Sequence, residues 1–502
     1  MKKLCSIAAA IAGLFLAAGG LWAFTVQTAP DGSFLTWPRD RTAIFYRIGS
    51  GGEAVSPGAV EDIGRAFSQW EEKSRGELAF IYEGWAPEGK AVRDGHNTIT
   101  WVSGFWPYGE ETAAVSTIWI SEEDNEIEEV DIEFNARDYD WGLPGSPDLL
   151  ETALHEIGHL LGIGHSFNPG AVMHDTRRPG IAHRRTLSRD DLEALAFLYP
   201  RREREIHQYD LPVLFHPRYF AGEDPAFPPA PGFEPDPGRW VTALGSIDLS
   251  GDGYLSEVLT AVRDETGGKT LEGWGPAESG TDLFEELGIS REVSVPGSVL
   301  ALAGVDYLRD GRGGEAAVLV RDGGWEKLLF YRFDPGGDGP EAVLELETAP
   351  ADNLVGMAAI DSAGSGFRDG LLLLRAFPDR YSLFLHRVPG YGETSPGPDP
   401  GIEIPLPGLQ GNSRLLGLAV LDAEGTGRRD DLVLLELDAS GDYWLHLFAL
   451  AGPDWEQAYD VFYRRSARLP SGPGSVHPGR VTGLDFNRDG LYDQLIILAP
   501  GR

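Results

Sequence analysis

The chain holds a single cysteine, Cys5, among its 502 residues. Cys5 sits inside an apolar N-terminal stretch, so a chain processed beyond it has no thiol and no disulfide. Thiolate nucleophiles, thiolate metal sites and a disulfide framework are thereby excluded for the mature chain. Basic residues are scarce beside acidic ones: 42 Lys and Arg face 78 Asp and Glu, for a net charge of −36. That balance argues against nucleic acid or an anionic membrane surface as partner and suits a soluble exported protein that binds cations. Long apolar runs are also missing. After the first residues no stretch is long and apolar enough to cross a bilayer, so no membrane span is expected after signal cleavage.

What the N-terminus does have is the pattern of an export signal. Lys2 and Lys3 precede the apolar run Ile7 to Leu16, and Leu21-Trp22-Ala23 offers a cleavage site before Phe24. Residues 1–23 read as a signal peptide, which implies a secreted protein, extracellular or periplasmic. Residues 24–40 read as a short leader. Residues 41–200 then alternate strand-like and helix-like patterns. Strands are expected at Thr42 to Arg47, Leu78 to Tyr82, Thr98 to Val102, Val115 to Ile120 and Val130 to Phe134. One helix is expected to open at Ser56-Pro57 and to bury Val60, Ile63, Phe67 and Trp70. Others open at Ser146-Pro147-Asp148 and at Ser188-Arg-Asp-Asp191, the last running to Tyr199. Residues 201–240 form a connector with a proline-rich stretch, in which Tyr209 to Phe215 is apolar enough to be a strand.

Residues 155–165 carry the chemistry: His155-Glu-Ile-Gly-His-Leu-Leu-Gly-Ile-Gly-His. On a helix, His155 and His159 project from one face, so both imidazoles can reach one ion. Gly162 can take positive φ, end the helix and bring His165 back as a third ligand. Three protein ligands leave one coordination position open, the arrangement of a catalytic rather than a structural zinc. Glu156 lies beside the ligands, where it can act as general base toward an attacking water. No serine or cysteine nucleophile is needed.

The stretch from His155 to Ser166, followed by Ala171-Val-Met173, resembles a matrixin active site with its Met-turn. Ala66-Phe67-Ser-Gln-Trp70, Val130 to Asn135, and Leu187-Ser-Arg-Asp-Asp-Leu192 to Tyr199 are similar to flanking elements of the same metzincin family. The resemblance covers roughly residues 35–200. It implies an α+β catalytic domain with a twisted mixed sheet and three helices, a floor methionine at Met173, and peptide or protein substrates. It also implies an edge strand near Ala113-Ala114-Val115 that pairs with extended substrate. The chain departs from the pattern in three ways. Only a short leader precedes the first strand in the mature chain and it holds no cysteine, so latency through a cysteine ligand is not expected. His174-Asp175 is an unusual continuation after Met173, and Arg177-Arg178-Pro179 falls where the specificity pocket should be lined. His96, His174 and His183 read as surface or supporting residues rather than metal ligands.

From 241 to 502 the helical period disappears. An apolar strand, an acidic glycine-rich loop and another apolar strand recur five times, the loops beginning at Asp248, Asp306, Asp361, Asp422 and Asp485, at spacings of 55–63 residues. Such a period signals a propeller or another repeat array. Asp485, Asn487, Asp489 and Asp493 place oxygen ligands at alternate positions around Gly490, a pattern that suits calcium; Asp248, Ser250, Asp252 and Glu257 form a second set. Strands rather than helices flank these loops, which argues against EF-hands and resembles the calcium-loop blades of FG-GAP or VCBS propellers. A five-bladed all-β propeller stabilised by calcium is expected, its last blade completed by a strand from the connector. The functional expectation is a secreted zinc endopeptidase. The alternative is an adhesion protein whose propeller binds an extracellular protein or carbohydrate and carries the main function.

Overall fold

The computed structural model describes residues 23–39, 43–55, 58–87, 89–121, 123–143, 146–175, 184–202, 204–210, 230–231, 233, 239–250, 255–277, 284–293, 298–306, 314–322, 325–333, 342–346, 354–361, 368–377, 380–388, 401–406, 414–421, 431–438, 440–451, 460–469, 480–484 and 494–500. The chain divides into two compact units at residues 202/203.

In the first unit, β1 (Ala43–Gly49), β2 (Ala79–Ala86), β3 (Asn97–Val102), β4 (Ala114–Ile120) and β5 (Ile127–Asn135) form one sheet in the order β2-β1-β3-β5-β4. β1 runs parallel to β2 and β3, and β3 parallel to β5. Only β4 is antiparallel, and it forms an edge. A single turn, α1 (Gly52–Val55), precedes α2 (Ala59–Lys73), α3 (Leu149–Leu160) and α4 (Arg189–Leu198). The expected helix start at Ser56-Pro57 lies outside the described residues. The helix begins after Gly58, which sits at φ 80° and offers no side-chain cap.

The apolar stripe of α2 is what packs. Val60, Ile63, Phe67 and Trp70 are all buried, each contributing roughly 1.5–3 kcal/mol if fully removed from water. The Phe67 ring stacks on Tyr46 at 3.9 Å, and the Trp70 indole N–H donates to the Leu154 carbonyl at 3.0 Å, fixing α2 against α3. The stretch read as a leader is part of this core. Ala29, Leu35 and Trp37 are buried in it, and the Trp37 indole donates to the carbonyl of Leu160 at 3.0 Å, at the end of α3.

β5 also organises the loop before β3 through alternate carboxylates. Glu129 accepts from the backbone N–H groups of Asp94 and Gly95, Asp131 from Val92 and Thr98, and Glu133 from Ala91. Burial pushes the Asp131 carboxyl up to about 7, against the pull of its two N–H donors.

The second unit consists of four-stranded sheets in a propeller-like arrangement. Four are built from consecutive antiparallel strands, spanning residues 239–292, 298–345, 354–405 and 414–468. A further sheet is composite: Val481–Leu484 and Gln494–Pro500 pair with Arg204–Asp210 and Ala230–Pro231 from the other end of the unit. The expectation of five repeat blades is corrected accordingly to four blades of consecutive strands, the remaining sheet being shared between the two ends. The joining strand is Arg204–Asp210, not Tyr209 to Phe215, of which 211–215 lie outside the described residues. The first strands of successive sheets pack side by side, and Val481–Leu484 packs on Arg239–Ile247. Small residues permit that approach. A Cβ on Gly245 would stand 2.7 Å from the Leu302 carbonyl oxygen, and one on Gly304 would stand 2.4 Å from that of Ser246. The Ser246 N–H donates to the Thr482 hydroxyl at 3.1 Å, and Arg480 to the Val241 carbonyl at 3.0 Å.

Candidate metal centre

Helix α3 starts where Asp148 caps it, its carboxylate accepting from the Glu151 N–H at 2.9 Å. It stops at a paired turn: the N–H of Gly162 donates to the His159 carbonyl and that of Ile163 to the Gly158 carbonyl, both at 2.9 Å. Gly162 sits at φ 83°, and a Cβ there would stand 2.0 Å from the Leu35 carbonyl oxygen, so the turn needs glycine twice over. The chain beyond the turn is held by the N-terminal segment. The N–H of Gln27 donates to the Gly162 carbonyl, the N–H of Gly164 to Thr25, and the Thr25 hydroxyl to the His165 carbonyl.

This geometry gathers His155, His159 and His165, with one ligand atom of each within 4.8 Å of the others. Nε2 of His159 and Nε2 of His165 lie 3.2 Å apart. Two imidazole nitrogens on a tetrahedral zinc, each at about 2.0–2.1 Å, would be about 3.3 Å apart. Nδ1 of His155 sits 2.8 Å from the Val172 carbonyl oxygen and Nδ1 of His159 2.8 Å from that of Ile163. A carbonyl can only accept, so both rings carry the proton on Nδ1 and turn the Nε2 lone pair inward. Burial lowers all three histidines below the ordinary imidazole value, His155 well below it, which keeps them neutral as ligands must be. The donor set therefore fits zinc.

Glu156 is buried beside this cluster, and its Oε2 accepts from the Ser116 hydroxyl of β4 at 2.7 Å. Under the site, Met173 is fully buried against α3. Gly158 makes room for it, since a Cβ there would stand 2.1 Å from Met173 Sδ and 2.9 Å from its Cε. In an open helix, alanine is favoured over glycine by about 1 kcal/mol. Here Gly158→Ala is expected to lower stability by about 1–3 kcal/mol through overpacking, read as a fall in the urea midpoint. A rise would show that Met173 yields freely.

Two residues that sequence reasoning took only as helix-start signals hold the site together. Asp191 accepts from the N–H groups of Val172 and Met173, each at 3.0 Å, while completing a capping box with Ser188. Its neighbour Asp190 accepts from the Ser166 hydroxyl at 2.5 Å. The signal was present: a capping box uses one acidic residue, and there are two. Arg184 was missed altogether; it donates to Glu151 and to the Ala171 carbonyl.

The other expected residues divide by location. Ala114 and Val115 lie on edge strand β4, with Ala113 just before it. His96 and His174 are not in the histidine cluster, the only such metal-holding group among the described residues; His183 and Arg177-Arg178-Pro179 lie outside them. Of the calcium candidates, Asp248 and Glu257 are buried, and Ser250 donates to Asp248 at 3.4 Å. Asp252, Asp485, Asn487, Asp489 and Asp493 lie outside the described residues.

Residues 36–200 match the family model for matrixin. The chain is 44% identical over 55 residues to matrilysin of Homo sapiens, covering 11% of this chain and 21% of that protein. It is 44% identical over 52 residues to Metalloendoproteinase 2-MMP of Arabidopsis thaliana, covering 10% and 14%. The match thus spans about a fifth or less of these relatives. Among solved structures, Kluyveromyces lactis Hsv2 aligns with 43% of this chain and 60% of its own length, at 12% identity and a TM-score of 0.27. No described helix is long and apolar enough to cross a membrane.

Proposed function

We propose that the first unit is a zinc-dependent endopeptidase and that the chain is secreted. The observation that carries the peptidase reading is the gathering of three neutral imidazoles about one point beside a buried carboxylate, Glu156, next to the first of them on α3; the export signal read at residues 1–23 supports secretion. Zinc bound by His155, His159 and His165 would polarise a peptide carbonyl and make water a better acid. Glu156 then takes the proton of the attacking water and returns it to the leaving amine. The edge of β4, with Ala113, Ala114 and Val115, aligns an extended peptide by adding it as a further strand. The carbonyls of Val172 and Ile163 keep the His155 and His159 imidazoles in place, and Met173 packs on Gly158 of the helix that carries them.

For the second unit we propose a closed propeller of FG-GAP or VCBS type, its four blades of consecutive strands fastened by the sheet shared between the two ends, with calcium in the loops at Asp248 and Asp485. Strand-to-strand packing from Val481–Leu484 back to Arg239–Ile247 supports closure.

The test is casein cleavage by the purified chain with and without a zinc chelator. Activity is expected to vanish on chelation and to return with added zinc. Cleavage unaffected by thorough removal of zinc would overturn the peptidase mechanism.

A further inference from the structure

We infer that Ser116 is a positioning residue that sets which oxygen of Glu156 handles protons; this rests on the peptidase reading above. Ser116 lies mid-way along β4, opposite Ile132 of β5. The two-residue alternation of a strand puts Ser116 on the same face as Ala114 and Ile118, and that face meets α3. From there its hydroxyl reaches two acceptors on one residue: Oε2 of Glu156 at 2.7 Å and the Glu156 backbone carbonyl at 3.2 Å. A hydroxyl has one proton to donate, and a charged, closer acceptor outcompetes a neutral, more distant one. The bond therefore pins Oε2 and assigns proton exchange with the attacking water to Oε1. A carboxylate so held does not have to find its angle during the reaction, which is where a general base gains most from being oriented in advance. The strand that carries Ser116 is also the edge proposed to align the peptide, so one element sets both the substrate and the base.

Ser116→Ala is expected to lower kcat by about tenfold to a hundredfold, the range set by one hydrogen bond to a charged group, with KM changed less than twofold. Ser116→Thr keeps the hydroxyl on a residue that strands accommodate and is expected to restore most of kcat. Zinc content is expected to match the wild type in both variants; the urea midpoint is expected to fall in Ser116→Ala, which leaves a buried acceptor without its donor, and to be largely restored in Ser116→Thr.

A second readout does not depend on turnover. Acetohydroxamate, whose hydroxyl can donate to a carboxylate beside the metal, is titrated into the zinc-loaded chain by calorimetry. Ser116→Ala is expected to weaken its binding in the Glu156 background and to have no effect once Glu156→Ala is present, because the hydroxyl acts through that carboxylate. Equal kcat in the wild type and Ser116→Ala overturns this inference alone. So does an equal loss of hydroxamate affinity with and without Glu156. A wild-type chain that holds zinc but neither cleaves peptide nor binds hydroxamate overturns the peptidase reading, and this inference with it.

Discussion

Glu156→Ala is expected to retain one zinc ion per chain and to lose about 10²–10⁴ in kcat, the range for removing a general acid–base group. Zinc should stay because the three imidazoles are oriented without help from Glu156. His155 is set by the Val172 carbonyl, His159 by the Ile163 carbonyl, and the stretch to His165 by the Gly162 turn and Thr25. Turnover should fall because the proton of the water must go to a carboxylate within reach and come back to the amine. Glu156 is the buried carboxylate on α3 next to the first histidine. The loss should appear in kcat and in kcat/KM together, as expected for an interaction made mainly in the transition state. The check is casein or quenched-peptide cleavage beside metal analysis of the same sample. Wild-type rates from a zinc-loaded Glu156→Ala chain would mean another group is the base. Loss of zinc together with activity would mean that Glu156 supports the metal site instead.

How much of this could be read from the sequence follows from how local each feature is. The histidines, Glu156 and Gly162 fall within eleven residues, and a helix with a glycine turn has few ways to arrange them. Asp190 and Asp191 were legible as a helix start, because a cap acts on its own turn. Their second role was hidden, since Ser166, Val172 and Met173 are brought to them by folding. The same applies to Ser116, whose partner lies 40 residues further along the chain. Leu35 and Trp37 stand in an irregular, polar stretch with no period, so nothing local marked them as core; their burial depends on the end of α3. In the second unit, the spacing of acidic loops revealed the repeat. The joining strand was harder to place: Arg204–Asp210 reads Arg-Glu-Ile-His-Gln-Tyr-Asp, more polar than the Leu-Pro-Val-Leu-Phe that follows. It is a strand because it lines up against Gln494–Pro500, and pairing across the length of the unit leaves no local signature.

Glu326→Ala is expected to destabilise the second unit by about 3–5 kcal/mol, the cost of removing one partner from a buried ion pair. Glu326 is 1% exposed and accepts from Arg321 on the neighbouring strand and from Arg375 in the next sheet. Arg375 is 4% exposed, so the contact between sheets is made away from water. Burial alone would raise the Glu326 carboxyl, but Arg375 and Arg321 outweigh it and hold it below the ordinary glutamate value. Alanine removes the negative charge and leaves Arg375 and Arg321 without the carboxylate they share. Glu326→Gln keeps the shape but not the charge, and should cost nearly as much. Replacing all three residues together by apolar ones of similar volume should cost much less, because no charge is then left behind. The pH dependence has a definite sign. A carboxyl whose folded value is lowered stabilises the fold above its unfolded value, near 4.5, and that contribution disappears as pH falls through the lower, folded value. The wild type should therefore lose stability in acid from about pH 4.5 downward, and the gap between it and Glu326→Ala should narrow over the same interval. Urea unfolding of the full chain at pH 7 and at stepped lower pH values measures both. A Glu326→Ala midpoint equal to that of the wild type at pH 7 would show that the triad contributes nothing, and a gap that widens in acid would show that the carboxyl is not held in its charged form.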